Sequence, residues 1–162
     1  MGKNNTASGA YSTAMGGSTT SSGLYSTSMG FETTASGIYS TAMGRNTKAS
    51  WPYSTAMGYD TEALGTAATA LGGHTTASGV YSTSMGRETA AIGGYSTSMG
   101  RDTTASGDSS TAMGYSSTAS GDFSTAMGRY STASDYASVS IGQYPSSGSS
   151  VTNSATSFNT AN

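Results

Sequence analysis

The chain has 162 residues, no cysteine, a single histidine, 9% charged residues and a formal net charge of −2. The absence of cysteine excludes a disulfide framework and thiol chemistry, and the sparse, nearly balanced charge excludes the basic footprint of a nucleic-acid binder. Leu, Ile, Val and Phe are too few to build an ordinary globular core, so regularity rather than hydrophobicity must specify the structure.

Residues 1–5 form a short lead, Met1-Gly2-Lys3-Asn4-Asn5. They lack the charged and apolar pattern of a secretory signal, and no stretch of the chain approaches the ~20 apolar residues of a membrane span, so membrane insertion is not expected.

Residues 6–142 read as a repeat array. A hydrophobic residue followed by glycine recurs every fourteen positions, at Met15, Met29, Met43, Met57, Leu71, Met85, Met99, Met113, Met127 and Ile141. A period held over ten copies marks a supersecondary unit that buries its apolar surface only by stacking on its neighbours. Each unit splits into two sevens, one like Ser12-Thr13-Ala14-Met15-Gly16 and one like Thr34-Ala35-Ser36-Gly37. The second position of every half (Ala7, Ala14, Ser21, Ser28 and onward to Ser140) is alanine or serine, and glycine follows two residues later except at Trp51 and Asp135.

A heptad coiled coil fails on this composition, because a glycine costing about 1 kcal/mol would recur every two turns among many Ser and Thr. A short strand, a corner, a second short strand and a second corner fit instead. The prediction is an all-β parallel β-solenoid, or β-roll, of about ten 14-residue coils with two short strands each. The glycines are expected to serve corners that need positive φ.

Strand alternation assigns the faces. Ser12, Ala14 and Gly16 point inward, into a thin core that any larger side chain would overpack. Inner hydroxyls at the corners (Ser12, Thr19, Ser26, Thr33) are placed to bond turn backbone. One outer face then carries the Met column beside a column of Thr13, Thr27, Thr41, Thr55, Thr69, Thr83, Thr97, Thr111 and Thr125. The other carries mostly Thr and Ser, such as Thr6 and Ser8 or Thr76 and Ser78. Ten apolar side chains at ~4.8 Å spacing make a strip roughly 45 Å long, more than monomers usually expose. That points to packing of the Met face against copies of itself.

Ser12-Thr13-Ala14-Met15-Gly16 and its counterparts resemble the head repeat of trimeric autotransporter adhesins, the YadA-like head, with Thr for Val and Met for Ile; the resemblance spans roughly residues 6–142. It implies a left-handed roll, a homotrimer with the larger outward residues at the shared interface, a cell or virion surface location outside the cell, and attachment to a host surface, matrix or glycan. Phage and other surface fibres carry similar repeats, so the resemblance speaks for architecture more than for ligand.

The corners carry the remaining chemistry. Arg45, Arg87, Arg101 and Arg129 follow the Met-Gly pairs, and Glu88 and Asp102 follow two of those arginines. They read as solvated turn residues, with ion pairing at a trimer edge as the alternative. Tyr11, Tyr25, Tyr39, Tyr53, Tyr81 and Tyr95, continued by Phe123, form an aromatic column at the polar half's corner. Lys48-Ala49-Ser50-Trp51-Pro52-Tyr53 breaks the rule, followed by Glu62, Leu64, Ala67 and Ala68, with His74 one coil beyond. Clustered irregularity makes Trp51, Tyr53, Tyr59 and His74 candidate ligand contacts; ordinary divergence with a local bulge is the competing reading.

An enzyme is not expected. The lone histidine and eight scattered carboxylates provide neither a metal cluster nor a nucleophile with its base, and no cofactor motif occurs. Asp108 and Asp122, one coil apart, lack the ligand density of a calcium site. Two other functions stay open. The Thr13–Thr125 column resembles the surface of an ice-binding solenoid, although its neighbour is Met and the opposite face is interrupted by Lys48, Glu62, Leu64, Ala90 and Ile92. Open solenoid ends could also stack into a homopolymeric filament. Residues 143–162 leave the period at Gln143-Tyr144-Pro145 and form a Ser/Thr/Asn-rich tail or cap, with Val151 and Phe158 as its large apolar residues.

Overall fold

The computed structural model describes residues 2–144 and 146–147. Strands alternate between two lengths along the chain. Odd-numbered strands, from β1 (Thr6–Ala7) to β21 (Ser146–Ser147), have two residues; even-numbered strands, from β2 (Thr13–Gly17) to β20 (Val139–Gln143), have five. The odd strands build an 11-stranded sheet and the even strands a 10-stranded sheet. Pairing is parallel, and each residue pairs with its equivalent one repeat on, as Thr13 with Thr27 and Met15 with Met29, or Thr6 with Thr20. One repeat is one coil of a parallel β-solenoid, as its period predicts. The tail residues Val151 and Phe158 lie outside the described residues.

The core is a single layer of small side chains. Ala35, Ala42, Ala49, Ala56, Ala63, Ala70 and Ala77 are fully buried, and the largest fully buried side chains are threonines such as Thr19, Thr33 and Thr47. The alternating Ala/Ser positions therefore face inward, and the Thr and Met columns face outward.

In most coils the inner residue five before a corner hydroxyl decides whether it finds a partner; Thr19, Ser54, Ser117 and Ser131 follow alanines and instead bond the Asn5 side chain, the Trp51 carbonyl, the Gly128 carbonyl and Ser140. Where the inner residue of the long strand is serine, it bonds the corner threonine five residues on: Ser28–Thr33 at 2.6 Å, Ser84–Thr89 at 2.7 Å and Ser98–Thr103 at 2.8 Å. Where it is Ala42, Ala56 or Ala70, the hydroxyls of Thr47, Thr61 and Thr75 are buried without a hydrogen-bond partner. The other corner behaves alike. Ser21 bonds Ser26 at 2.7 Å, while Ser40, Ser82, Ser96, Ser110 and Ser124 follow alanines and have no partner. Bonding to turn backbone is thus the minority outcome among the corner hydroxyls named in advance. Ser26 donates to the Gly23 carbonyl at 2.7 Å, but Thr19 bonds the Asn5 side chain at 2.9 Å, Thr33 bonds Ser28, and Ser12 has no partner. An inner side chain five residues away reaches the hydroxyl more directly than the turn does.

The glycines depart from expectation. The corner positions with φ near +55° are filled by other residues: Tyr11, Tyr25, Tyr39, Tyr53, Tyr81 and Tyr95 at one corner, and Glu32, Asn46, Asp60, His74 and Asp102 at the other. Asn, Asp and His adopt this left-handed region more readily than most residues, whereas tyrosine there is uncommon. From Tyr25 on, each such tyrosine is held by a ladder bond to the preceding coil, as Tyr39 N–H to the Leu24 carbonyl at 2.8 Å, and by its stacked neighbours. The glycines are instead required by the closeness of successive coils. A Cβ at Gly79 would land on the carbonyl oxygen of Gly93, and one at Gly86 on that of Gly100. Only the Met-Gly series also has positive φ, +124° at Gly86.

Candidate functional site

The long-strand sheet displays the Met face. Its side chains alternate with the buried Ala/Ser set, so each coil adds one Thr and one Met to the surface, and parallel in-register pairing aligns them into columns. Met15, Met57 and Ile141 are exposed, and the intervening members from Met29 to Met127 are half-buried. Thr27 to Thr125 are half-buried beside them. The result is an unbroken apolar column with the threonine hydroxyls on one side and, on the other, a mixed column at the fifth strand position that includes Arg45, Arg87, Arg101 and Arg129 as well as Gly17 and Gly73.

The opposite sheet is shorter and more varied. Lys48 lies over Glu62 at 3.9 Å, and Ala90 and Ile92 interrupt its Thr/Ser columns. The ladder changes beside Trp51. The paired bonds that Ser36 and Gly37 N–H make to the Ala49 carbonyl, at 2.9 and 3.3 Å, become a single bond from Ser50 to Ala63 at 3.1 Å. The next coil does the same: Leu64 N–H bonds the Ala77 carbonyl at 2.7 Å without a second bond from Gly65, so the ladder is thinner over two successive coils at Trp51 and Gly65.

The four residues singled out as a ligand contact fall at two corners. Trp51 and Tyr53 lie in the connection between Lys48–Ala49 and Thr55–Tyr59, whereas Tyr59 and His74 flank the connections on the other side of the roll. Tyr59 and His74 meet edge to face at 5.0 Å. Trp51 and Tyr53 are exposed.

The second corner holds a polar ladder whose signal was the fourteen-residue spacing of positions 46, 60 and 74. Asn46 donates to Asp60 at 2.6 Å, and the other Asp60 oxygen lies 2.8 Å from His74 Nδ1. Asp60, Glu62, His74 and Thr76 line a shallow open depression. Further along, guanidinium groups interleave with rings: Arg101 and Arg129 lie 5.3 and 5.9 Å from the centre of the Tyr115 ring. These contacts are cation–π in geometry. Arg87 and Arg101 pair with Glu88 and Asp102 at 2.9 and 3.3 Å within the chain. A hydrogen bond with Asp102, reinforced by Arg87, holds the Glu88 carboxyl below its ordinary range, and the same bond holds Asp102 above its own. The Tyr115 hydroxyl is held above the usual phenol range chiefly by its bond with Tyr130. Among the described residues no group of three or more His, Asp or Glu is placed to hold a metal ion.

The first corner holds the aromatic column. Tyr11–Tyr25, Tyr25–Tyr39 and Tyr39–Tyr53 stack at 4.8, 5.0 and 5.5 Å, and Tyr81–Tyr95 at 5.3 Å.

Two in-register sheets, an Ala/Ser core and paired glycine columns recur in nearly every coil, and the comparison with known families falls on the same unit. Residues 1–19, 7–33, 21–47, 35–61, 52–75, 63–89, 91–117, 105–131 and 119–144 match the YadA head domain repeat (2 copies). No curated protein matches the chain. The chain belongs to the YadA head repeat family and is an adhesin-type head module built as a tandem array.

Proposed function

We propose that this chain is a non-enzymatic adhesive head that trimerises through its Met face and works outside the cell, on a cell or virion surface. The sequence places the head at residues 6–142, with 143–162 as a tail or cap; because β21 (Ser146–Ser147) still pairs in register with the preceding coil, we extend the head to residue 147. The observation that carries the reading is the continuous outward column from Met15 to Ile141. Burying it removes apolar surface from water along the whole roll, at about 25 cal/mol for each Å², whereas leaving it open exposes an unusually long apolar strip. Family membership supports the adhesin class and a homo-oligomer. Attachment would then fall to surfaces that trimerisation leaves open, the corners and the short-strand sheet.

The test is the absolute mass of the soluble protein by light scattering, beside a Met57→Lys/Met85→Lys double variant. Both positions are outward, so the fold tolerates lysine there. A trimer that dissociates in the variant supports the interface. A monomer that the lysines leave unchanged overturns it, and thermal hysteresis in that monomer would move the role to the Thr13–Thr125 column.

A further inference from the structure

The aromatic column at the first corner has two vacancies. It runs Tyr11, Tyr25, Tyr39, Tyr53, then Ala67; it resumes with Tyr81 and Tyr95, stops at Ser109 and resumes with Phe123. The backbone does not register the change. Ala67 and Ser109 have φ of 54° and 55°, against 57° at Tyr81 and 58° at Tyr95. Their N–H groups donate to Pro52 and Gly94 at 2.9 and 2.7 Å, as Tyr39 donates to Leu24 at 2.8 Å. At each vacancy only the ring is missing.

Exposure reflects this. Within the stack each ring covers its neighbours' faces, leaving Tyr25 44% and Tyr39 49% exposed. The rings beside the vacancies are more open: Tyr53 60%, Tyr81 55%, Tyr95 65% and Phe123 56%. Two coil spacings separate the rings of each pair by about 10 Å, so a ring placed midway lies about 5 Å from both, within the favourable range for aromatic pairs. That is also the spacing the column itself uses, 4.8 to 5.5 Å.

We propose that Ala67 and Ser109 mark two slots that each take an aromatic side chain of a partner polypeptide, one between Tyr53 and Tyr81 and the other between Tyr95 and Phe123. The two slots differ at their rims. Around the first, Pro52 and Val80 precede the two rings and Thr66 precedes Ala67. Around the second stand Gly94, Asp108 and Asp122, where Asp108 accepts a hydrogen bond from Gly94 N–H and Asp122 one from Asp108 N–H, both at 2.9 Å. The second slot therefore favours an aromatic residue with a cationic neighbour. The slots lie at a corner rather than on the Met face, so this proposal and the trimer reading fail separately.

The experiment is an NMR titration of the full chain, with labelled Tyr and Phe rings, using N-acetyl-tyrosinamide and tyramine as probes. Ring signals of Tyr53, Tyr81, Tyr95 and Phe123 should shift while Tyr25 and Tyr39 stay in place. Tyramine should favour the Ser109 slot, and lose that preference in high salt. Ala67→Tyr inserts the column's own residue into an unchanged backbone, so it should fold and weaken binding between Tyr53 and Tyr81 about tenfold or more, the worth of two stacking contacts. Ser109→Tyr should do the same between Tyr95 and Phe123. The proposal is overturned if no ring shifts, if mid-stack rings shift equally, if the filled variants bind as well as the parent, or if methyl glucopyranoside produces the same shifts.

Discussion

Gly79 and Gly86 stand in the two halves of one coil, and each faces the carbonyl of its own counterpart in the next coil. Gly86 lies in the long strand with φ of +124°, a region open to almost no other residue; Gly79 begins a corner with ordinary φ. The difference explains where the repeat varies. Side chains replace glycine only in the Gly79 series, at Trp51 and Asp135, because there only the neighbouring coil must give way. Around Trp51 the second ladder bond is absent in that coil and in the next, at Gly65. In the Gly86 series the backbone itself would have to change, and no coil departs from glycine.

Breaking the comparison directly should have the largest effect. Gly86→Ala combines backbone strain with overpacking and should lose about 4 kcal/mol of stability, against about 2 kcal/mol for Gly79→Ala, where overpacking acts alone. Urea unfolding of the two variants measures this, and equal losses would mean that the positive φ carries no cost. A smaller effect sharpens the contrast inside the long strand. Ser84→Ala should cost about 1–2 kcal/mol by stranding the Thr89 hydroxyl, while Ala70→Ser should gain about 0.5–1 kcal/mol by giving Thr75 a partner. Opposite shifts in melting temperature would bear out the pairing rule; shifts of the same sign would refute it.

The smallest effect lies at the corner that follows the long strand. Glu88 is held low and Asp102 high by their shared bond. A lowered carboxyl contributes stability above its unfolded pKa that is lost as pH falls through its folded value. A raised one works oppositely: the folded state is disfavoured at neutral pH and relieved on protonation. The two offset, so overall stability should barely respond in acid, but carboxyl-detected NMR should show Asp102 titrating at higher pH than Glu88. In Asp102→Ala, Glu88 should return toward its ordinary range. The reverse order of titration would remove the shared bond from the account.

Much of the architecture was legible because a solenoid is nearly one-dimensional. Fourteen-residue spacing is the in-register pairing, since every bridge joins equivalent positions, and Ala or Ser at every second position describes a core one side chain thick. The reason for the glycines was not legible, because contact with the next coil and left-handed φ leave the same mark in a sequence. Nor was the ladder of Asn46, Asp60 and His74, where three residue types hide a common spacing. Trp51 and Tyr59 are close in sequence, yet β8 (Thr55–Tyr59) carries the chain across the roll between them.

From its sequence alone the chain settled its period, its two short strands per coil, its inward Ala/Ser and outward Thr/Met sets and its family resemblance, because each is a pattern that repeats from coil to coil; the Met-Gly glycines, expected inward, are exposed from Gly30 to Gly128. The tertiary structure decided what depends on contact between coils. It made Ser28 a partner for Thr33 while leaving Thr47 alone opposite Ala42, put tyrosines in left-handed corners, and kept that corner conformation where Ala67 and Ser109 interrupt the aromatic column. Local patterning sets the direction of each side chain, but only the neighbouring coil sets what that side chain meets.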